Sequence, residues 1–449
     1  MKEYLAWIMA LLICIQCLTT LAASHPDGVA EYNPLINSFD MVIIAPNMFS
    51  DVIQPLIDHK NTIGITTVLN PIEDIVTSYH GRDDAEKIKY SIKDYIETYH
   101  IDYVLLIGDI DLVPIRRSAL SWDYFGTYVV KDIITDFYYS DIYEGNGSFS
   151  SWDTNNDGIY GEIKMITIEK EDNESFFYTD HIDTTPDISV GRLPCSSSNE
   201  VKIVVNKIIN YETGTFGSDW FKRIVLMGGD TFPFVGDMSE GEFVTEYISS
   251  IMPEFTPIRL WTSLGTFTPL RINKEISQGA GFVSYSGHGF QYGFGTSSYN
   301  SDNIRKYYTP YILGIQNQQR YPIFYFDACW TAALDYTFLQ SNAPCFAWAL
   351  MKKQNGGAIA CIGSTRVAYG GLTGDPFGAG SPCLQGCFFE AYEPGVHIGD
   401  MFREAQEEYI SKVWDSVFMD ALTIQEFILI GDPSLKVGGY HISEFPIMN

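Results

Sequence analysis

The sequence predicts an α/β fold with a mostly parallel sheet, and two observations carry that expectation. Short apolar, β-branched runs recur and end in Gly, Asp or Pro: MVIIAP from 41, YVLLIGD from 103, RIVLMGGD from 223, GFVSYSGHG from 281, PIFYFDAC from 322 and GAIACIGS from 357. Continuous apolar runs bounded by turn residues are the pattern of strands buried on both faces. Amphipathic helical patterns lie between these runs, and strands alternating with helices imply right-handed crossovers over one face or the other of a sheet.

Taken in order, the chain opens with a short polar head carrying Lys2, an apolar run from about Leu5, and the small residues Ala22 and Ala23 before His25 and Pro26. That is the layout of a secretory signal peptide, placed at residues 1–23, and no later apolar run reaches the ~18 residues a membrane span needs. The protein is therefore expected outside the cell, with no other membrane contact. A first α/β lobe follows at 24–215. It is interrupted at about 118–187 by an excursion rich in Asp, Asn, Ser, Gly and Tyr, and closes on SSNEVKIVVNKIINYE, where Ser197 and Glu200 stand at capping-box spacing. The second lobe is placed at 216–449, with a further helical pattern, PCFAWALMKKQNGG, ended by glycines.

Composition narrows the function classes. Of 449 residues, 46% are hydrophobic and 19% charged, as in ordinary folded proteins. Asp and Glu number 56 against 28 Lys and Arg, a formal charge of −28, which argues against nucleic acid or an anionic membrane as partner. Removing the signal segment, with Cys14 and Cys17, leaves Cys195, Cys329, Cys345, Cys361, Cys383 and Cys387. Cys383 and Cys387 are the closest pair in sequence, connectivity stays open, and no zinc spacing appears. Asn146 and Asn173 fit N-x-Ser/Thr sequons.

In an open parallel sheet, ligands bind beyond the carboxyl ends of the strands. His288 follows GFVSYSG and Cys329 follows PIFYFDA, so both belong at that edge. A thiol beside an imidazole is the minimum for nucleophilic acyl transfer: the base takes the thiol proton and later returns it to the leaving amine. Glycines around His288 would let a substrate backbone approach, leaving the Gly289 N–H as one oxyanion donor and the Cys329 N–H as the second. On these residues alone a structural His and a structural Cys are the commoner reading.

A separate signal is WDTNNDGIYGE at 152–162, where Asp153, Asn155 and Asp157 alternate oxygen ligands and Gly158 permits a sharp turn. Ile159 offers its carbonyl and Glu162 a closing carboxylate, the start of a calcium loop, although Lys164 occupies the twelfth position where an acid belongs. Calcium is expected here as a structural ion, and a solvated Asp/Asn turn is the alternative.

The stretches GAGFVSYSGHG, PIFYFDACW, PCFAWALMKKQNGGAIACIGST and LIGDPSLKV resemble the successive motifs of the gingipain-type cysteine peptidases. LLIGDIDLVP and ISVGRLPCSSSNEVKIVVNKIINYE resemble that family's first lobe, so the likeness covers most of residues 40–437 in the family's order. The resemblance implies two caspase-like three-layer lobes with the active site on the second, and protein or peptide substrates. It implies Cys329 as nucleophile, His288 as general base and acid, and Gly289 with Cys329 as the oxyanion hole. It places Asp230 where the family has a Glu that orients the His, Glu242 where an Asp floors the pocket for a basic P1 residue, and Tyr369 on a lid loop. Arg366, which stands on the same loop, is placed to neutralise Glu242. With the first strand at about residue 40 no long amino-terminal pro-domain is expected, and with 12 residues after Val437 (449 − 437 = 12) no immunoglobulin-like tail is expected. Transpeptidation by the same dyad, and a non-catalytic calcium-stabilised binding module, are the alternatives.

Overall fold

In the computed structural model the described residues are 38–444, save 125–126, 168–173, 179, 236, 339–340, 371–375 and 414–416. The signal segment 1–23, His25 and Asn173 lie outside them. The apolar runs become strands: β1 (Met41–Ala45), β2 (Thr67–Pro71), β3 (Tyr103–Ile107), β4 (Ser189–Leu193), β5 (Arg223–Gly228), β6 (Thr256–Trp261), β7 (Phe282–Ser286), β8 (Ile323–Asp327), β9 (Ala360–Ser364) and β10 (Phe427–Ile430). Every residue of β1, β3, β7, β8, β9 and β10 is buried, as continuous apolar runs demand.

These ten strands form one sheet in the order β6-β5-β7-β8-β9-β10-β4-β3-β1-β2. All neighbours are parallel except β9 and β10, which run antiparallel. The sheet is thus continuous across the lobe boundary expected near 215. β10, from the second half of the chain, pairs with β4 of the first at Ile430 and Arg192, and the described residues make one compact unit. One hydrophobic cluster runs from Met41 to Val437.

A buried charge network joins the same two halves. Lys60, with no exposed side-chain surface, lies 2.7 Å from Glu212 and 2.8 Å from Asp432, which follows β10. Removing one partner of such a group strands a buried charge, at a cost of about 3–5 kcal/mol.

The helix Ser198–Gly214 begins as its sequence suggests, with the Ser197 side chain accepting from the Glu200 N–H. The reciprocal bond goes one residue further back, to the Ser196 N–H. The polar excursion is more ordered than its composition implies: Arg116–Tyr124, Thr127–Thr135, Ile163–Thr167 and Glu174–Tyr178 build a separate four-stranded sheet. It packs onto the carboxyl edge of the main sheet, where Ser118 donates to Gln425, Thr365 to the Ile134 carbonyl and Arg366 to the Asp132 carbonyl.

Candidate active site

β7 and β8 are adjacent and in register from Phe282–Ile323 to Ser286–Asp327, so the chain leaves both at the same edge. Gly287 follows β7 with φ 152°, its N–H donating to the Asp327 carbonyl at 3.1 Å. A Cβ at Gly287 would meet the Tyr285 hydroxyl at 2.5 Å, which requires glycine. His288, Gly289 and Phe290 then form a short strand, and Cys329 stands two residues past β8.

His288 and Cys329 line one cavity of about 490 Å³, with Thr231, Phe232, Glu240 and Tyr369 among its other walls. At Gly289 the space expected for a substrate backbone is occupied by the Cys329 main chain, since an added Cβ would lie 2.0 Å from the Cys329 carbonyl oxygen and 2.7 Å from its nitrogen. The glycine therefore brings the two expected oxyanion donors onto adjoining main chain.

Both groups are neutral by environment. Burial lowers the His288 pKa, and a hydrogen bond with the Thr231 backbone opposes the shift. Burial, followed by the charge of Glu426, pushes the Cys329 thiol up to about 11. Cys329 is a free thiol and touches the Ala368 carbonyl at 3.5 Å. Cys195, Cys345, Cys361, Cys383 and Cys387 are free as well, and all five are buried.

Asp230 does not reach the imidazole. Its backbone exchanges hydrogen bonds with Ser297, and one carboxylate oxygen accepts from the Asn300 N–H at 3.1 Å. Its other oxygen is buried with no hydrogen-bond partner among the described residues, and the His288 imidazole is met by the Thr231 backbone and by the Phe232 ring, 6.2 Å away edge to face.

Glu242 is likewise turned aside, accepting from the Thr262 hydroxyl and the Ser263 N–H, each at 2.9 Å. Of the two helix acids, Glu240 is the one that lines the cavity. It is 7% exposed, one oxygen accepts from the Thr231 N–H at 3.1 Å, and the other has no hydrogen-bond partner among the described residues. Burial raises its pKa. The two acids sit two residues apart on the helix Glu240–Ile251, hence about 200° apart around it, and only one can face the cavity.

Arg366 does not neutralise either acid. Its guanidinium takes Asp335 in a fork, at 3.0 and 2.8 Å. Tyr369 lines the cavity as expected, while residues 371–375 of its loop are outside the described set. Sequence reasoning gave no role to Ser286 and Ser381, which line the cavity and whose hydroxyls both donate to Asp327 on the same wall. Burial pushes that carboxyl up to about 6, partly offset by the two hydroxyls.

The expected calcium loop closes on itself. Asp153, 2% exposed, meets Arg82 at 2.7 Å and also accepts the Asp157 and Gly158 N–H groups. Asn155 and Asp157 hydrogen-bond each other and Asp157 takes the Ile159 N–H, whereas the Glu162 N–H goes to Asp180. Among the described residues no group of three or more His, Cys, Asp or Glu side chains is arranged to hold a metal.

The sequence profile of Peptidase family C25 matches residues 36–438. Gingipain R2 of Porphyromonas gingivalis is 23% identical over 333 residues, covering 72% of this chain and 36% of that protein. Lys-gingipain from the same organism is 21% identical over 364 residues, 77% and 17% respectively. The chain spans about a third or less of the length of these relatives. A complex of Porphyromonas gingivalis RgpB pro- and mature domains superposes with TM-score 0.63 at 21% identity, covering 88% of this chain and 79% of that one. The Arg specific cysteine proteinase gingipain R (RGPB) gives 0.63 at 20% identity, covering 90% and 79%. The fold is therefore the one those structures share.

Proposed function

Given that the chain belongs to Peptidase family C25, we propose that it is a cysteine endopeptidase working through an acyl-enzyme on Cys329. One observation carries this reading: an imidazole and a free thiol line a single cavity, joined there by the packing of Gly289 on the Cys329 backbone.

With the thiol held up and the imidazole held down, the resting pair is neutral. Proton transfer from Cys329 to His288 then accompanies attack on the peptide carbonyl. The carbonyl oxygen becomes an oxyanion facing the Gly289 and Cys329 N–H groups, the C–N bond breaks, and His288 returns the proton to the departing amine. Water, deprotonated by His288, releases the acid product and restores the thiol.

Glu240 supports a basic P1 residue. A buried carboxylate with one oxygen free of partners suits a guanidinium or ammonium entering the cavity. Tyr369 lines the same cavity, and an aromatic ring there suits a cationic side chain. The apolar amino-terminal segment supports action outside the cell.

The test uses fluorogenic peptides varied at P1, with Cys329→Ala and Glu240→Gln beside the native chain. Cleavage after Arg or Lys that disappears in Cys329→Ala, and a basic preference that falls in Glu240→Gln, are the expected results. Turnover that survives Cys329→Ala would overturn the nucleophile, and an unchanged P1 profile in Glu240→Gln would remove the pocket assignment.

A further inference from the structure

The opposite edge of the sheet carries a groove of about 1080 Å³, far larger than the cavity at Cys329. Tyr321, on its wall, stands just before β8, whereas Cys329 stands just after it. The five residues of β8 separate the two by about 17 Å.

The groove's chemistry is unlike the rest of this acidic chain. One wall is a stripe of the helix Ser198–Gly214, where Asn199, Lys202, Asn206 and Asn210 recur at helical spacing. The facing walls bring Gln318, Gln319, Arg320, Gln354 and Asn355, with Trp220 at the side. No carboxylate lines the groove, in a protein with 56 acidic residues against 28 basic ones. Among the described residues its cations, Lys202, Lys207 and Arg320, take part in no ion pair, and its carboxamide side chains make no hydrogen bond within the protein.

Lys207 is the most telling of these. It is 3% exposed, its ammonium donates to the carbonyls of Met351 and Gly356 at 2.7 and 2.9 Å, and it stands 4.7 Å over the centre of the Tyr321 ring. A buried ammonium with carbonyls and an aromatic face beside it, but no carboxylate, lacks the counter-charge that normally accompanies it. Its pKa is accordingly lowered, to about 7, by burial.

We propose that this groove binds an acidic oligosaccharide, with the sugar's carboxylate or sulfate held by Lys202, Lys207 and Arg320 and its hydroxyls by the surrounding carboxamides. A carboxamide donates and accepts at once, as a sugar hydroxyl does, and Trp220 offers a flat face for a pyranose ring. A nucleic acid would need a longer run of cations to offset the net charge of −28. An acidic peptide would offer main-chain N–H and C=O groups to the same carboxamides but no pyranose face to Trp220, and a tetraglutamate probe separates the two. The site would tether the protein to an acidic glycan while the cavity at Cys329 stays open.

Calorimetric titration of the full chain decides the matter. The probes are tetragalacturonic acid, a sulfated heparin-type tetrasaccharide, methyl-esterified tetragalacturonate, a tetraglutamate peptide and a short thymidine oligonucleotide. Saturable binding is expected for at least one acidic sugar, tighter than for the ester, peptide and oligonucleotide. The double variant Lys202→Glu with Asn206→Asp should weaken it at least about tenfold, because an attractive charge contact becomes repulsive, with melting temperature and peptide cleavage unchanged. The idea fails if neither acidic sugar saturates, if the ester, peptide or oligonucleotide binds as tightly, or if the folded double variant binds like the native chain.

Discussion

Gly289 and Cys329 touch main chain to main chain: a Cβ on the glycine would stand 2.0 Å from the Cys329 carbonyl oxygen. The residue after the expected base thus sets the position of the expected nucleophile. Gly289→Ala has to push the two backbones apart, and a displacement on the order of 1 Å at a reacting centre costs about 10²-fold in rate. A fall in kcat/KM of that order, in protein that still folds, is expected from steady-state kinetics, and near-native activity would sink the packing argument.

Asp230→Asn should change little in catalysis. The carboxylate serves the Asn300 N–H rather than His288. A side chain that held the tautomer of the catalytic imidazole would cost about 10⁴-fold on the same change. A loss below tenfold, with an unshifted acid limb in the pH profile, is the expected result.

Glu242→Gln separates the two helix acids. Its contacts tie the helix start to Thr262 and Ser263, so the variant should lose about 1 kcal/mol of stability in denaturant titration. Its P1 profile should match the native one, in contrast to that of Glu240→Gln.

Asp327 makes stability depend on pH. Its folded pKa of about 6 lies above the ordinary 3.8, so its contribution is fully present below about pH 4 and is lost as pH rises through 6. Asp327→Asn removes that loss. Unfolding free energies at pH 8 should favour the variant over the native chain by up to about 3 kcal/mol relative to their difference at pH 4. An equal difference at both values would contradict an Asp327 whose burial outweighs the two hydroxyls.

Calcium and chelators should leave the melting temperature where it is, because the first oxygen ligand of the expected loop is committed to Arg82. Arg82→Met should instead lower stability by about 1–2 kcal/mol, since Asp153 and Glu86 both lose a charged donor. A calcium-dependent rise in melting temperature would show that the ion displaces the guanidinium.

The strands, the helix after Ser197 and the placement of His288 and Cys329 at strand ends were legible in the sequence. Each depends on local information, namely hydrophobic period, turn residues and caps, that is complete within a dozen residues. The same is true of the glycines beside His288, although only the fold reveals that Gly289 packs against Cys329.

Tertiary structure decided the rest. Local pattern cannot tell which of Glu240 and Glu242 faces the cavity, because that depends on the rotation of a helix against β5 and β7. Nor can it tell that Asp230 turns to Asn300, 70 residues on, that Arg366 takes Asp335, or that an Asp/Asn-rich excursion folds into a sheet capping the carboxyl edge. The continuity of the ten strands across residue 215 is of the same kind. Sequence periodicity determines which residues are buried and in what element, but the partner of a charged side chain is chosen by distant segments that meet it only once the chain has folded.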